Sequence, residues 1–322
     1  GDWPDIEAIA SQFKLMADLV INHASSRSRW FENFKRGIDP GRDYFVTAEP
    51  GTDVTQVVRP RPGPLLQAVE TIAGKRLVWC TFGPDQVDLD FGNPAVLEEF
   101  VNIMARYLDA GVRILRLDAV AFLWKKVGTT CQNEREAHLI LQLFKDCCQV
   151  TAPGVLFIAE AIVAPVEITK YFGEDAVIAK ECEIAYNATF MALLWDAIAT
   201  HNAKLLNQGI QSLPQKLDRA TWLNYVRCHD DIGLGFDDSD IAAVSYEPRA
   251  HRRFLLDYYT GRFEESLARG QPFAQNEKTG DARISGSLAS LVGLEAALES
   301  GEEKLIQDSI AQILLLHGLI MS

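Results

Sequence analysis

VRILRLD, residues 112–118, is the stretch on which the fold turns. It is about one strand long, its apolar positions are valine, isoleucine and leucine, and it ends on a carboxylate. A near-continuous apolar run of this length suits a strand covered on both faces, as in a parallel sheet. Four other stretches share this make-up: ADLVINH (17–23), VLFIAE (155–160), ECEIAY (181–186) and WLNYVRCHD (222–230). Helical patterns lie between them. Asn93 and Pro94 supply an N-cap and a first helical residue, Val96, Leu97, Phe100, Val101, Met104, Tyr107 and Leu108 form one apolar stripe, and Gly111 stops the helix. Residues 136–150 place Leu139, Ile140, Leu143, Phe144 and Cys147 on one face, and residues 189–200, 251–262, 286–297 and 303–317 behave alike. Repeated strand–helix units make an α/β fold, for which a (β/α)8 TIM barrel and a doubly wound sheet are the two candidates.

The 322 residues, 48% of them hydrophobic, are enough to bury a large core. A net charge of −13 argues against a nucleic-acid partner and against docking on anionic membranes, and says little about a neutral substrate. No apolar run reaches the roughly 18 residues of a membrane span. The longest candidate, residues 306–321, is interrupted by Gln307, Asp308, Gln312 and His317 and reads as a buried amphipathic helix. No signal peptide is visible at the start, and both ends read as truncations. The six cysteines show no C-x-x-C spacing and are expected to be reduced, mostly buried thiols in a cytoplasmic protein. A GxGxxG or Walker loop is missing, so no nucleotide cofactor is indicated.

Two stretches are too long for simple connections, 24–90 and 231–285, and both follow a strand end. That is the side on which barrel enzymes keep their active sites. Carboxylates recur there: Asp118, Glu160 and Asp230 each end a candidate strand. A single acid at a strand end is usually a cap or a loop residue. Three in register on successive units of a parallel barrel would converge on one pocket. Arg116 and Asp118 are two apart, so they share a strand face, and the guanidinium favours the ionised carboxylate a nucleophile needs. Glu160 follows LFIA, where partial desolvation would keep a carboxylic acid protonated for general-acid work. His23 and His229 also stand at strand ends, where a histidine is usually a satisfied structural group; two of them could instead donate hydrogen bonds to substrate hydroxyls. Neither has a partner at metal-ligand spacing, so no metal site is expected.

DLVINH (18–23), RILRLDAV (113–120), FIAEAI (157–162) and YVRCHDD (225–231) resemble the four signature regions of the α-amylase superfamily, glycoside hydrolase family 13, in the family's order. QVDLD (86–90) resembles a further signature at the end of that family's first inserted domain. The resemblance implies a (β/α)8 barrel, here incomplete at both ends, with loop insertions after strands 3 and 7. Its layout would be barrel (strand 3 region) at 1–23, inserted domain B at 24–90, and barrel strands 4–7 at 91–230. A B'-like insertion at 231–285 would follow, then barrel helices and the start of the last strand at 286–322. The last strand would begin at residues 319–322, and the missing strands would leave apolar edges exposed. The resemblance also assigns roles: Asp118 the nucleophile with Arg116 holding it, Glu160 the acid/base, and Asp230 the stabiliser of the oxocarbenium-like transition state. His23 and His229 would contact bound glucose, Asp18 and Asn22 would support the first signature loop, and no cofactor or metal is implied.

AVAFLWKKVGTTC (119–131), EAIV (160–163), NYVRCHDDIG (224–233), SLARGQPF (266–273) and the TGDARISG stretch (279–286) resemble amylosucrases. VINHASSRSRWF, VVRPRPGPLL and VWCTFGPDQVDLDF resemble the sucrose phosphorylase group instead. The resemblance therefore implies retaining transfer of glucose from sucrose or another α-glucoside, amylosucrase-like, with glucan, phosphate or water as acceptor. A sucrose phosphorylase or hydrolase is the alternative, and a non-catalytic relative a third reading.

Overall fold

The structure is a computed structural model, and it describes residues 2–61, 63–161, 165–173, 180–213, 219–276 and 280–322. Ile162 and Val163, which end FIAEAI and EAIV, and Thr279 of TGDARISG lie outside the described residues. In chain order the strands are β1 (Leu15–Val20), β2 (His23–Ser25), β3 (Thr47–Ala48), β4 (Leu66–Thr71), β5 (Gly74–Trp79) and β6 (Gln86–Asp88). β7 (Val112–Asp118), β8 (Leu156–Ala159), β9 (Ile184–Tyr186), β10 (Thr221–Leu223), β11 (Gln271–Phe273) and β12 (Arg283–Ser285) follow. The chain divides into two compact units. The first is Gly1–Val163, Glu167–Ala185 and Lys216–Thr221, and the second Ala164–Val166, Tyr186–Gln215 and Trp222–Ser322.

The main sheet has five strands in the order β1-β7-β8-β9-β10, and the pairs β1·β7, β7·β8 and β8·β9 are parallel. Among the described residues it does not close into a barrel. β7 spans the residues expected from VRILRLD, and its Val112, Leu115, Arg116 and Leu117 are buried. Among the described residues β1 is an edge strand, and Met16 and Val20 on it are 45% and 40% exposed. The helix Pro94–Asp109 is capped as its sequence implies. Asn93 accepts a hydrogen bond from the Ala95 N–H, Pro94 is the first residue, and Val96, Phe100, Met104 and Leu108 are buried. Gly111, at φ +92°, takes the left-handed turn that follows.

Several expectations are corrected. The buried face of the helix Arg135–Thr151 is Ala137, Ile140, Leu141, Phe144, Lys145 and Cys148, while Leu139 and Leu143 are exposed. The face is rotated because Lys145 is drawn inward: its ammonium is 2.5 Å from Glu183 and donates to the Val155 carbonyl at 2.8 Å. A pattern of apolar residues cannot show a charge that is buried because it is paired. The stripe at 286–297 is not one helix but Leu288–Leu291 and Leu294–Ser300. Between them Gly293 has φ +80°, and a Cβ there would lie 2.5 Å from Leu267 Cβ. Residues 319–321 do not begin a strand. They end the helix Glu303–Met321, a run of good helix formers with no breaker before its last turn.

That same helix is not buried. Only Ser309 and Leu316 on it are, and Leu314, Leu315, Leu319 and Met321 are exposed. By length and composition it is also apolar enough to cross a membrane, contrary to the reading of its sequence, although only 11% of that span is covered by protein.

Residues 24–90 form two small antiparallel sheets in the first unit, β2·β6 and β3·β5·β4. Val57, Leu65, Trp79 and Cys131 make a separate apolar cluster beside them. In the second unit residues 231–285 carry the helices Asp238–Ala243 and Pro248–Tyr259 and the antiparallel pair β11·β12. The core of that unit gathers on Trp195, Leu255, Leu256 and Tyr259.

Candidate active site

β7 and β8 run parallel with Leu117 opposite Ala159, so the next residues, Asp118 and Glu160, leave the sheet side by side. The Glu160 N–H donates to the Leu117 carbonyl at 3.1 Å, and the Ala119 N–H donates to Glu160 Oε2 at 3.0 Å. Ala119 achieves this by adopting φ 60° and ψ 34°. A left-handed alanine costs about 1–2 kcal/mol, and it turns the backbone sharply where the strand ends.

Arg116 organises this end of the sheet. Its Nη1 donates to Asp118 Oδ1 at 3.0 Å and to Asp18 Oδ1 at 2.5 Å, and its side chain is 6% exposed. The pair Asp18↔Arg116 is in register between β1 and β7. Burial alone would lower the Arg116 pKa. The hydrogen bond to Asp18, the charges of Glu160 and Asp18 and the hydrogen bond to Asp118 outweigh it, so the pKa is raised and the guanidinium stays charged.

β1 stops at Val20, short of the expected 17–23, because the chain leaves the parallel sheet there to pair His23–Ser25 with β6. Asn22, between the two, is buried and held by three partners. Its Oδ1 accepts from Lys125 Nζ at 2.7 Å, its Nδ2 donates to Asp88 Oδ2 at 3.2 Å, and its carbonyl accepts from the Leu89 N–H. His23 is thereby set between two amides, Asn22 Nδ2 at 3.4 Å from Nδ1 and Gln86 Nε2 at 2.8 Å from Nε2, with Phe82 5.5 Å away centroid to centroid. Burial pushes the His23 imidazole below its ordinary range, against the opposing pull of Asp88 and Asp118. Neither amide nitrogen can accept the second proton of an imidazolium, which works in the same direction.

His229 and Asp230 belong to the second unit, and they do not end a strand. β10 is only Thr221–Leu223, where 222–230 was expected. Beyond it, side chains take the backbone groups that a neighbouring strand would have taken. Trp195 Nε1 donates to the Val226 carbonyl at 2.9 Å, and Arg227 Nη1 donates to the carbonyls of Cys228 (2.7 Å) and Asp230. His229 Nε2 is 3.6 Å from Asp230 Oδ1, and Cys228 Sγ is 3.7 Å from Asp230 Oδ2. Cys228, His229 and Asp230 bring one ligand atom each within 4.8 Å of one another, the group among the described residues with metal-ligand proximity. Burial pushes the Cys228 thiol up.

The structure thus brings Asp18, Asn22, His23, Arg116, Asp118 and Glu160 to one end of the first unit's strands, and His229 and Asp230 onto a loop of the second. The sequence reading passed over Lys125, Asp88, Thr81 and Gln86 around His23, and Arg227 beside His229. Asp88 and Gln86 lie in QVDLD and Lys125 in AVAFLWKK, stretches already singled out by resemblance. Nothing local marks Lys125 as buried.

Residues 6–234 match the family described as "Alpha amylase, catalytic domain". A glucosylglycerate phosphorylase of Spirochaeta thermophila is 38% identical over 234 residues, which is 73% of this chain and 39% of that protein. A sucrose phosphorylase of Agrobacterium vitis is 28% identical over 244 residues, 73% of this chain and 47% of that protein. Among solved structures, sucrose 6F-phosphate phosphorylase from Thermoanaerobacter thermosaccharolyticum aligns with a TM-score of 0.68 at 20% identity, covering 99% of this chain and 74% of that one. The chain therefore spans less than half the length of the two curated relatives.

Proposed function

Because this chain belongs to the α-amylase catalytic-domain family, we propose that it carries the catalytic carboxylates of a retaining α-glucosyl-transferring enzyme, with phosphate as the acceptor. The observation that carries the reading is the pairing of Asp118 and Glu160 at the ends of neighbouring parallel strands, with Arg116 on Asp118. We read the five-stranded sheet as strands 3 to 7 of a (β/α)8 barrel.

Arg116 fixes the Asp118 carboxylate through Oδ1 and keeps a positive charge beside it. Asp118 attacks the anomeric carbon of the donor while the bond from that carbon to the leaving oxygen breaks. Glu160 gives that oxygen its proton. Since Oε2 of Glu160 accepts the Ala119 N–H, the transferable proton belongs on Oε1. The covalent glucosyl ester on Asp118 is then attacked from the opposite face by a phosphate oxygen, whose proton passes to Glu160. Two inversions give net retention, so the product is α-glucose 1-phosphate. Asp230 stabilises the positive charge of each transition state. His23 and His229 hold glucose hydroxyls, and Asp18 and Asn22 support the loop bearing His23.

The named relatives favour phosphate over the glucan acceptor read first from the sequence, and they support either sucrose or an α-glucosylglycerate as donor. An amylosucrase-like transfer to glucan is the second reading, favoured by residues 119–131 and 224–233. Incubation with sucrose and with glucosylglycerate, each with and without phosphate, separates the two. Phosphorolysis gives α-glucose 1-phosphate only when phosphate is present, whereas amylosucrase-like transfer lengthens a glucan without it. Release of no aglycone from either donor would overturn both. We place the activity in the cytoplasm.

A further inference from the structure

We propose that Arg227 is a positioning residue, the group that fixes the backbone carrying His229 and Asp230. Residues 224–231 lie in no helix or strand, yet their carbonyls are held closely. Arg227 Nη1 donates to the carbonyls of Cys228 and Asp230, and its Nε donates to the Gly286 carbonyl at 2.8 Å. One side chain therefore ties the stretch bearing His229 and Asp230 to the segment that follows β12. A second tie runs in parallel: Ile232 and Ile284 exchange both backbone hydrogen bonds, at 2.9 and 3.0 Å. Trp195 closes the near end by holding the Val226 carbonyl.

A guanidinium suits this task because it is planar and always charged, and it offers five N–H donors in a fixed fork. It can serve carbonyls from two segments at once. A lysine ammonium at the same place is a point charge without that fork, and alanine removes this donor from all three carbonyls. The Arg227 hydrogen bonds above go to main-chain oxygens, so its influence on the reaction passes through the position of His229 and Asp230. A misplacement of about 1 Å in a catalytic group costs on the order of 10²-fold in rate.

The inference rests on the reading that Asp230 serves glucosyl transfer, and its test has one readout that does not. In the whole protein, Arg227→Ala and Arg227→Lys are compared with wild type. The first readout is the alkylation rate of the half-buried Cys228 thiol, followed by peptide mass mapping. Labelling rises in both variants, more in Arg227→Ala, and millimolar guanidinium ion lowers it again in Arg227→Ala. The second readout is turnover: kcat falls on the order of 10²-fold with the donor KM little changed, because Asp230 acts in the transition state. Guanidinium ion restores part of kcat in Arg227→Ala, as it would not for a variant that is merely unfolded.

Arg227→Lys keeps the charge and most of the length, so it tests the fork even if the alanine variant does not fold. Wild-type labelling of Cys228 in Arg227→Lys, or wild-type kcat in either variant, would overturn the proposal. A wild-type protein that transfers no glucose, with Cys228 labelling still raised in the variants, would instead overturn the reading of the reaction and leave the role of Arg227 in the loop standing.

Discussion

Replacing Lys125 with methionine tests how the loop bearing His23 is held. Lys125 Nζ is 2.7 Å from Asp88 Oδ2, and the two side chains are 4% and 0% exposed. The same ammonium donates to Asn22 Oδ1 at 2.7 Å and to the Phe122 carbonyl at 2.5 Å. Methionine keeps most of the apolar stem and deletes all three contacts. Asp88 would retain the Thr81 N–H and hydroxyl and the Asn22 amide, so its carboxylate stays hydrogen-bonded but loses its counter-ion. Removing one partner of a buried ion pair costs about 3–5 kcal/mol, and the retained donors place this case near 3.

Urea unfolding followed by tryptophan fluorescence should report it, since Trp79 and Trp124 lie in the same unit. With a slope of about 1–3 kcal/mol/M, the midpoint of that unit's transition falls by about 1 M or more while the slope is unchanged. The double variant Lys125→Met/Asp88→Asn removes the stranded charge and keeps an acceptor for Thr81, so it recovers more than about 1 kcal/mol of the loss. A single-variant loss below about 1 kcal/mol, or a double variant no better than the single, would refute the reasoning.

Three further outcomes are expected. Asp118→Asn lowers kcat by several orders of magnitude, on the order of 10⁴ or more, with unchanged circular dichroism, because the amide is no nucleophile; substantial residual turnover removes Asp118 from its role. The His23 pKa is lowered in the folded protein, so the unfolded chain binds more protons below about pH 6.5. Stability should therefore fall as pH drops from there, a decline that His23→Gln diminishes, and equal declines in both proteins would contradict this. Burial pushes the thiols of Cys80 up to about 12 and of Cys148 up to about 11, so a disulfide reagent at pH 8 leaves both unreacted in the folded protein while labelling Cys147. Labelling of Cys80 ahead of Cys147 would show that the cluster around Trp79 is open.

What could be read from the residues depended on where each backbone group finds its partner. β7 was legible end to end because its hydrogen bonds run to strands on both sides, and an uninterrupted apolar run is what such a strand needs. WLNYVRCHD looked much the same and is strand only at its start. Past Leu223 its carbonyls are taken by Trp195 and Arg227, residues that no periodicity marks as donors. In the helix Arg135–Thr151 the apolar residues gave the helix but not its buried face, because Glu183, 38 positions on from Lys145, decides which side is covered.

For the site, Arg116 beside Asp118 followed from spacing alone, since residues two apart share a strand face. The proximity of Glu160 needed the register between β7 and β8, which the sequence does not state. Asp88, Thr81 and Lys125 come together from three separate segments, and only the fold assembles them.

The central claim is double displacement through Asp118, and trapping the glucosyl-enzyme tests it most directly. The protein is incubated with a fluorinated α-glucosyl fluoride, which forms the intermediate faster than it is released, and then digested and mass-mapped. The account predicts a single hexosyl adduct on the peptide containing Asp118, lost in Asp118→Asn, and an α-configured product from the natural donor. An adduct on another residue, or a β-configured product without any adduct, would contradict it.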